Sequence, residues 1–159
     1  MKELSIDIGM LCIALENHTH DTFFWLDMDT GEILMQHQDA EDYADISAKV
    51  SATPERYAKI AAIASFEGYR IMQEFIETLY EGRARDNLTR ALKGPKPFRK
   101  FKDCLILYPK IRELWHAFHD ESLTKCANTW CQEHGINPTW IRTETAESTP
   151  PPAAPETQA

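Results

Sequence analysis

Ten lysines and arginines crowd the stretch from Arg83 to Arg112, against two acids, Asp86 and Asp103. The densest run comprises Arg90, Lys93, Lys96, Arg99, Lys100 and Lys102. Arginine grips phosphate or carboxylate with a planar fork and lysine does so as a point charge, so the chemistry on offer is anion binding rather than bond making. The stretch nets +8 in a chain that nets −8, which leaves −16 for the remainder. Such a split fits nucleic acid, a protein partner or a second copy of the chain, and equally acids of the same chain that neutralise the run. Lys93, Lys96, Arg99, Lys100 and Lys102 cluster over ten residues at a helix N-terminus, beside its unsatisfied amides. Arg99 and Asp103 stand four apart and can pair on one helical face, for only ~0.3–0.5 kcal/mol. Asp27 or Asp29 is an alternative partner for Arg99.

Other chemistries find less support. His116, His119, Asp120, Cys126, Cys131 and His134 are metal-ligating types, but their spacing matches no standard zinc pattern, and no metal or other cofactor is expected. Asp7, Asp27, Asp29, Glu41 and Asp42 could supply an acid/base pair, yet carboxylates are so common in this chain that choosing two is arbitrary. DMDTGE, Asp27–Glu32, has calcium-loop composition with glycine and glutamate in the wrong places, and reads as a turn. There is no G-x-S-x-G, no glycine-rich phosphate loop and no nucleophile–base pair, so nothing argues for an enzyme and no catalytic residue is assigned. Trp25, Trp115 and Trp130 read as core. Trp140, beyond the last helix, is placed either back on the domain or against a partner.

The elements that would position the basic run follow from periodicity. Ile8, Leu11, Cys12 and Leu15 share a helical face, and with Ser5 as cap they predict a helix over Ser5–Asn17. Thr22–Met28 and Glu32–Gln36 flank Asp29-Thr30-Gly31 and predict a β-hairpin, with Gly31 at positive φ. A third strand is expected within Arg56–Ile63. Ser65 is expected to cap a helix with Phe66, Tyr69, Met72, Phe75, Ile76 and Leu79 inward. Asp86–Lys93 is a short helix ended by Gly94-Pro95, and Pro97 opens the next, with Phe98, Phe101, Cys104, Leu105 and Tyr108 on one face. Pro109 starts another helix with Ile111, Leu114, Trp115 and Phe118 inward. A break near His119–Ser122 then precedes a last helix over Glu121–His134, closed by Gly135.

The resulting fold class is α+β: an N-terminal helix, a small antiparallel sheet of two to three strands, and a C-terminal bundle of four to five helices. Residues 1–142 are expected to form a single globular domain. The tail 143–159, rich in proline and without large apolar residues, is expected to be disordered. Ile8–Leu15 is too short to cross a membrane and is read as a core helix. Four cysteines without C-x-x-C spacing fit reduced thiols, hence a cytoplasmic protein.

Three motifs then carry a resemblance. FRKFKDCLILYPKIRELW (Phe98–Trp115), FFWLDMDTGE (Phe23–Glu32) and YRIMQEFI (Tyr69–Ile76) occur in the order seen in the bacterial uncharacterised protein family 0158. The chain resembles that family from about Leu4 to Pro138. The resemblance implies an α+β fold in a bacterial or phage-type cytoplasmic protein, and no activity. The expected function is a non-enzymatic interaction or regulatory module acting through protein contacts, with nucleic-acid or phosphate binding through 83–112 as the alternative.

Overall fold

Alternation rather than helical spacing governs the first residues. Leu4 and Ile6 are buried while Lys2, Glu3 and Ser5 face out, and Lys2–Asp7 forms a strand, β1. Helix α1 begins only at Ile8 and runs to Leu15. Its cap is Asp7, whose Oδ1 accepts the Met10 amide at 3.2 Å. The expected helix from Ser5 is thereby corrected: Ser5 is a mid-strand residue. The computed structural model describes residues 1–142, so the proline-rich tail lies outside the described residues.

The chain divides into two compact units, Met1–Ala62 with the stretch from Cys126, and Ile63–Lys125. In the first, β1 pairs in parallel with β5 (Ile136–Ile141), from Lys2 opposite Ile136 to Asp7 opposite Ile141. Trp140 therefore belongs to a strand, opposite Ile6. The hairpin forms as expected from β2 (Thr22–Asp27) and β3 (Ile33–His37). Strand β4 is short, Tyr57–Lys59, and lies on the other side of β2, giving the antiparallel order β3-β2-β4. Central β2 buries Phe24 and Leu26. Gly31 closes the turn at φ +84°, its amide donating to the Asp27 carbonyl at 2.8 Å.

Helix α2 (Tyr43–Ala52) is tied to the hairpin by one buried amide. Gln36 accepts from Trp25 Nε1 at 2.9 Å and donates to the Tyr43 carbonyl at 3.0 Å and to Ser47 Oγ at 2.7 Å. A buried polar side chain is tolerable when its bonds are made, and these three are.

The second unit is helical: α3 (Ser65–Glu77), α4 (Arg83–Lys93), α5 (Pro97–Ile106) and the first part of α6 (Pro109–Glu133). Ile71, Met72, Phe75, Ile76, Leu88, Leu92, Phe101, Leu105 and Trp115 form its core. Four rings meet there at edge-on or tilted angles, Phe75 lying 5.3 Å from Trp115 and 5.5 Å from Phe118, and Phe101 4.9 Å from Trp115. Tyr69 spans α3 to α4 by donating its hydroxyl to the Leu92 carbonyl at 2.8 Å.

Several expectations change here. Ser65 is the first helical residue, and Ala64 holds the cap position without a side-chain bond. Phe66 is 72% exposed and Leu114 57% exposed, so both leave the inward stripe. Phe98 is 37% exposed, its ring close to Gly68, where an added Cβ would come within 3.3 Å of Cε1. The break near His119–Ser122 does not occur, and α6 is continuous from Pro109 to Glu133. The loss of stripe phase marks a change in the face that is buried, from Trp115 early in the helix to Leu123, Ala127, Trp130 and Cys131 later. Gly135 takes φ +70° after the helix, as a left-handed terminator should.

Candidate functional site

Helices α4 and α5 pack on each other and are joined by Gly94-Pro95-Lys96. Leu88 and Leu92 of α4 and Phe101 and Leu105 of α5 are buried, which commits one face of each helix to the core. Arg90, Lys93, Lys96, Arg99, Lys100 and Lys102 are all exposed. Arg90 Nη1 donates to Asn87 Oδ1 at 3.0 Å, and the ion pairs of the described residues involve none of the six. Arg99 and Asp103 do not pair.

Helix electrostatics separates these cations into two kinds. Arg90 and Lys93 sit in the last turn of α4, where positive charge is favoured by the carbonyl end of the dipole. Lys96, Arg99 and Lys100 gather at the start of α5, which has no acid in its first turn and no side-chain cap. Cations there oppose the positive end of the dipole, at a cost of a few tenths of a kcal/mol each. Lys96 is also the one non-glycine residue at positive φ among the described residues, at φ 52° and ψ 56°, directly before Pro97. A residue before proline is disfavoured in α conformations. Folding thus holds Lys96, Arg99 and Lys100 where local stability would not put them.

The other candidates are dispersed. Among the described residues no three His, Cys, Asp or Glu side chains gather as a metal site. His119 stacks on Trp115 at 4.9 Å, and His134 on Trp130 at 3.9 Å with Nδ1 2.8 Å from the Trp130 carbonyl. Burial, then the neighbouring Arg112, pulls the His116 pKa below its ordinary value. Burial raises the Cys104 pKa and pushes the Cys131 thiol up to about 11, which favours the protonated thiol.

A second charged cluster was only half legible. Asp27, a predicted partner for Arg99, is buried and belongs to Arg56. Arg56 Nε donates to Oδ1 at 2.9 Å and Nη2 to Oδ2 at 2.8 Å. The Asp29 and Thr30 amides also donate to Oδ1, at 2.9 and 3.3 Å. Arg56, first among these donors, holds the Asp27 pKa well below the usual carboxylate value, at about 2. The folded state therefore gains stability above pH 3.8, and loses it as pH falls through about 2. Acid titration of unfolding should show this loss in the wild type and a shallower one in Asp27→Asn. An unchanged acid limb would refute the assignment.

The comparisons with known proteins agree with one another. The sequence description "Uncharacterised protein family (UPF0158)" matches residues 1–150. The UPF0158 protein PA5073 of Pseudomonas aeruginosa is 30% identical over 155 residues, covering 98% of this chain and 99% of that protein. No solved structure matches. No helix among the described residues is long and apolar enough to cross a membrane.

Proposed function

The chain belongs to the uncharacterised protein family UPF0158, and we propose that it works as a non-enzymatic interaction module that docks an acidic protein surface through α4–α5. The observation that carries this reading is the group Lys96, Arg99 and Lys100, exposed at the start of α5 with no acid in its first turn and no ion pair among the described residues. A carboxylate-bearing surface would supply the missing counter-charge. Protein is favoured over nucleic acid for one reason. The same unit exposes Phe66, Ile106 and Leu107, at 72, 62 and 71%, and interfaces between proteins need an apolar centre within a charged rim. We extend the proposal to a cytoplasmic setting, which cysteines without disulfide bonds would suit.

The test compares a fluorescently labelled poly-glutamate peptide with labelled single-stranded RNA and duplex DNA of equal charge, read by anisotropy at low salt. The peptide should bind most tightly. Reversing Lys96, Arg99 and Lys100 to glutamate should weaken it by about tenfold or more, as expected of exposed charges acting together. A preference for RNA or DNA with a steep salt dependence would transfer the ridge to nucleic acid. Retention of none of the three probes would end both readings.

A further inference from the structure

We propose that the cleft beside the hairpin turn of the first unit binds a small zwitterion, such as a free dipeptide, with its carboxylate on Arg56 and Lys49 and its ammonium on Glu32. This is independent of the α4–α5 ridge. The cleft has a volume of about 410 Å³, and its lining includes Asp27, Glu32, Leu34, Lys49, Arg56 and Tyr57. Small-molecule sites run to roughly 300–1,000 Å³, so a two-residue peptide fits.

The charges in the cleft settle what it should hold. Asp27 spends its acceptors on two backbone amides and on Arg56, and so has a structural task. Its bidentate grip, together with Tyr57 lying 5.5 Å below the guanidinium, fixes Arg56 in one orientation. The bonds of Arg56 use Nε and Nη2 toward Asp27 and Nε toward Asp29, which leaves Nη1 uncommitted among the described residues. A guanidinium already held in place loses little entropy when it meets a carboxylate.

Beyond that pair, the lining contributes one further cation and one further anion. Lys49 and Glu32 are both exposed, and neither forms an ion pair among the described residues. A simple dianion would meet Glu32, and a diamine would meet Lys49 and Arg56. A molecule bearing one charge of each sign satisfies both ends, and Leu34 and Tyr57 offer apolar surface to what lies between.

The experiment follows the backbone amides of Thr30, Thr53 and Tyr57 by nitrogen-15 NMR while alanyl-alanine is added. Parallel titrations use N-acetyl-alanyl-alanine, alanyl-alanine amide and inorganic phosphate. The free dipeptide should give saturable shifts, and either cap should weaken binding by about tenfold, the scale of one lost charge-assisted bond. Lys49→Gln should shrink the discrimination against the amide, Arg56 still meeting the carboxylate, and Glu32→Gln should erase the discrimination against the acetylated peptide. Both side chains are exposed, so both variants should fold. Equal affinity for free and capped peptides, tighter binding of phosphate, or no saturable shift with the dipeptide would each overturn the assignment.

Discussion

Gly31→Ala should cost the protein about 3 kcal/mol or more, far beyond the ordinary cost of placing alanine in a left-handed turn, which is roughly 1–2 kcal/mol. Gly31 sits at φ +84°, and a Cβ built there would stand 2.2 Å from the Ser5 carbonyl oxygen. That oxygen is backbone, in the middle of β1, and β1 is paired along its whole length with β5. It cannot swing aside as a side-chain tip would. Relief requires the turn and β1 to separate, and separation exposes apolar side chains. Gly135→Ala provides the control. It shares the positive φ, +70°, but nothing lies within 4 Å of its added Cβ. It should lose only about 1 kcal/mol. Urea unfolding followed by circular dichroism compares the two. Equal losses would show that backbone conformation alone explains both, and that β1 does not press on the turn.

Phe75→Ala should be comparably damaging in the second unit, at about 3–5 kcal/mol, the usual range for emptying a buried aromatic site. Phe75 is 1% exposed and makes ring contacts with Phe101, Trp115 and Phe118 at centroid separations of 6.4, 5.3 and 5.5 Å. Removing it deletes the area it buries, leaves a void between α3, α5 and α6, and breaks three aromatic contacts at once. Edge-on ring pairs contribute roughly 0.5–1.5 kcal/mol beyond area, so the loss should lie toward the upper end. Phe66→Ala, nine residues earlier on the same helix but 72% exposed, should change stability by no more than about 0.5 kcal/mol. Parallel denaturation curves decide the matter. A loss below about 1 kcal/mol for Phe75→Ala would mean that the ring cluster is not the centre of this unit.

The two predictions also show where reading along the chain succeeds. Gly31 was expected at positive φ because a tight turn between two strand-like runs demands it. Phe75 was expected inside because its helix carries a strong apolar stripe. Both are local properties of the backbone and of helical periodicity. The end of α4 and the start of α5 were legible for the same reason, since Gly94-Pro95 and Pro97 act on adjacent residues, whereas α4 begins at Arg83 rather than at the expected Asp86. Phe66 and Leu114 were misjudged because they sit at the margin of a stripe, where periodicity cannot tell the last covered position from the first wet one.

The α5 ridge and the zwitterion cleft differ in the same way. The six cations are a composition signal, visible as a run, and their exposure follows from lying opposite an apolar face. The Asp27–Arg56 pair joins residues 29 apart, and nothing near either residue marks the other. Arg56 was read only as the start of a strand, so its bidentate fork on Asp27 went unnoticed.

The sequence by itself determined the α+β class, the hairpin with its glycine turn, the helices of the basic segment and the family. Each of these is written in contacts between near neighbours, where spacing and backbone preference dominate. Only the tertiary structure decided that Lys2–Asp7 is a strand, because its partner lies 134 residues away at Ile136–Ile141. It also decided which acid each arginine meets. Pairing across such distances is selected by the free energy of packing the whole chain, and no local pattern encodes it.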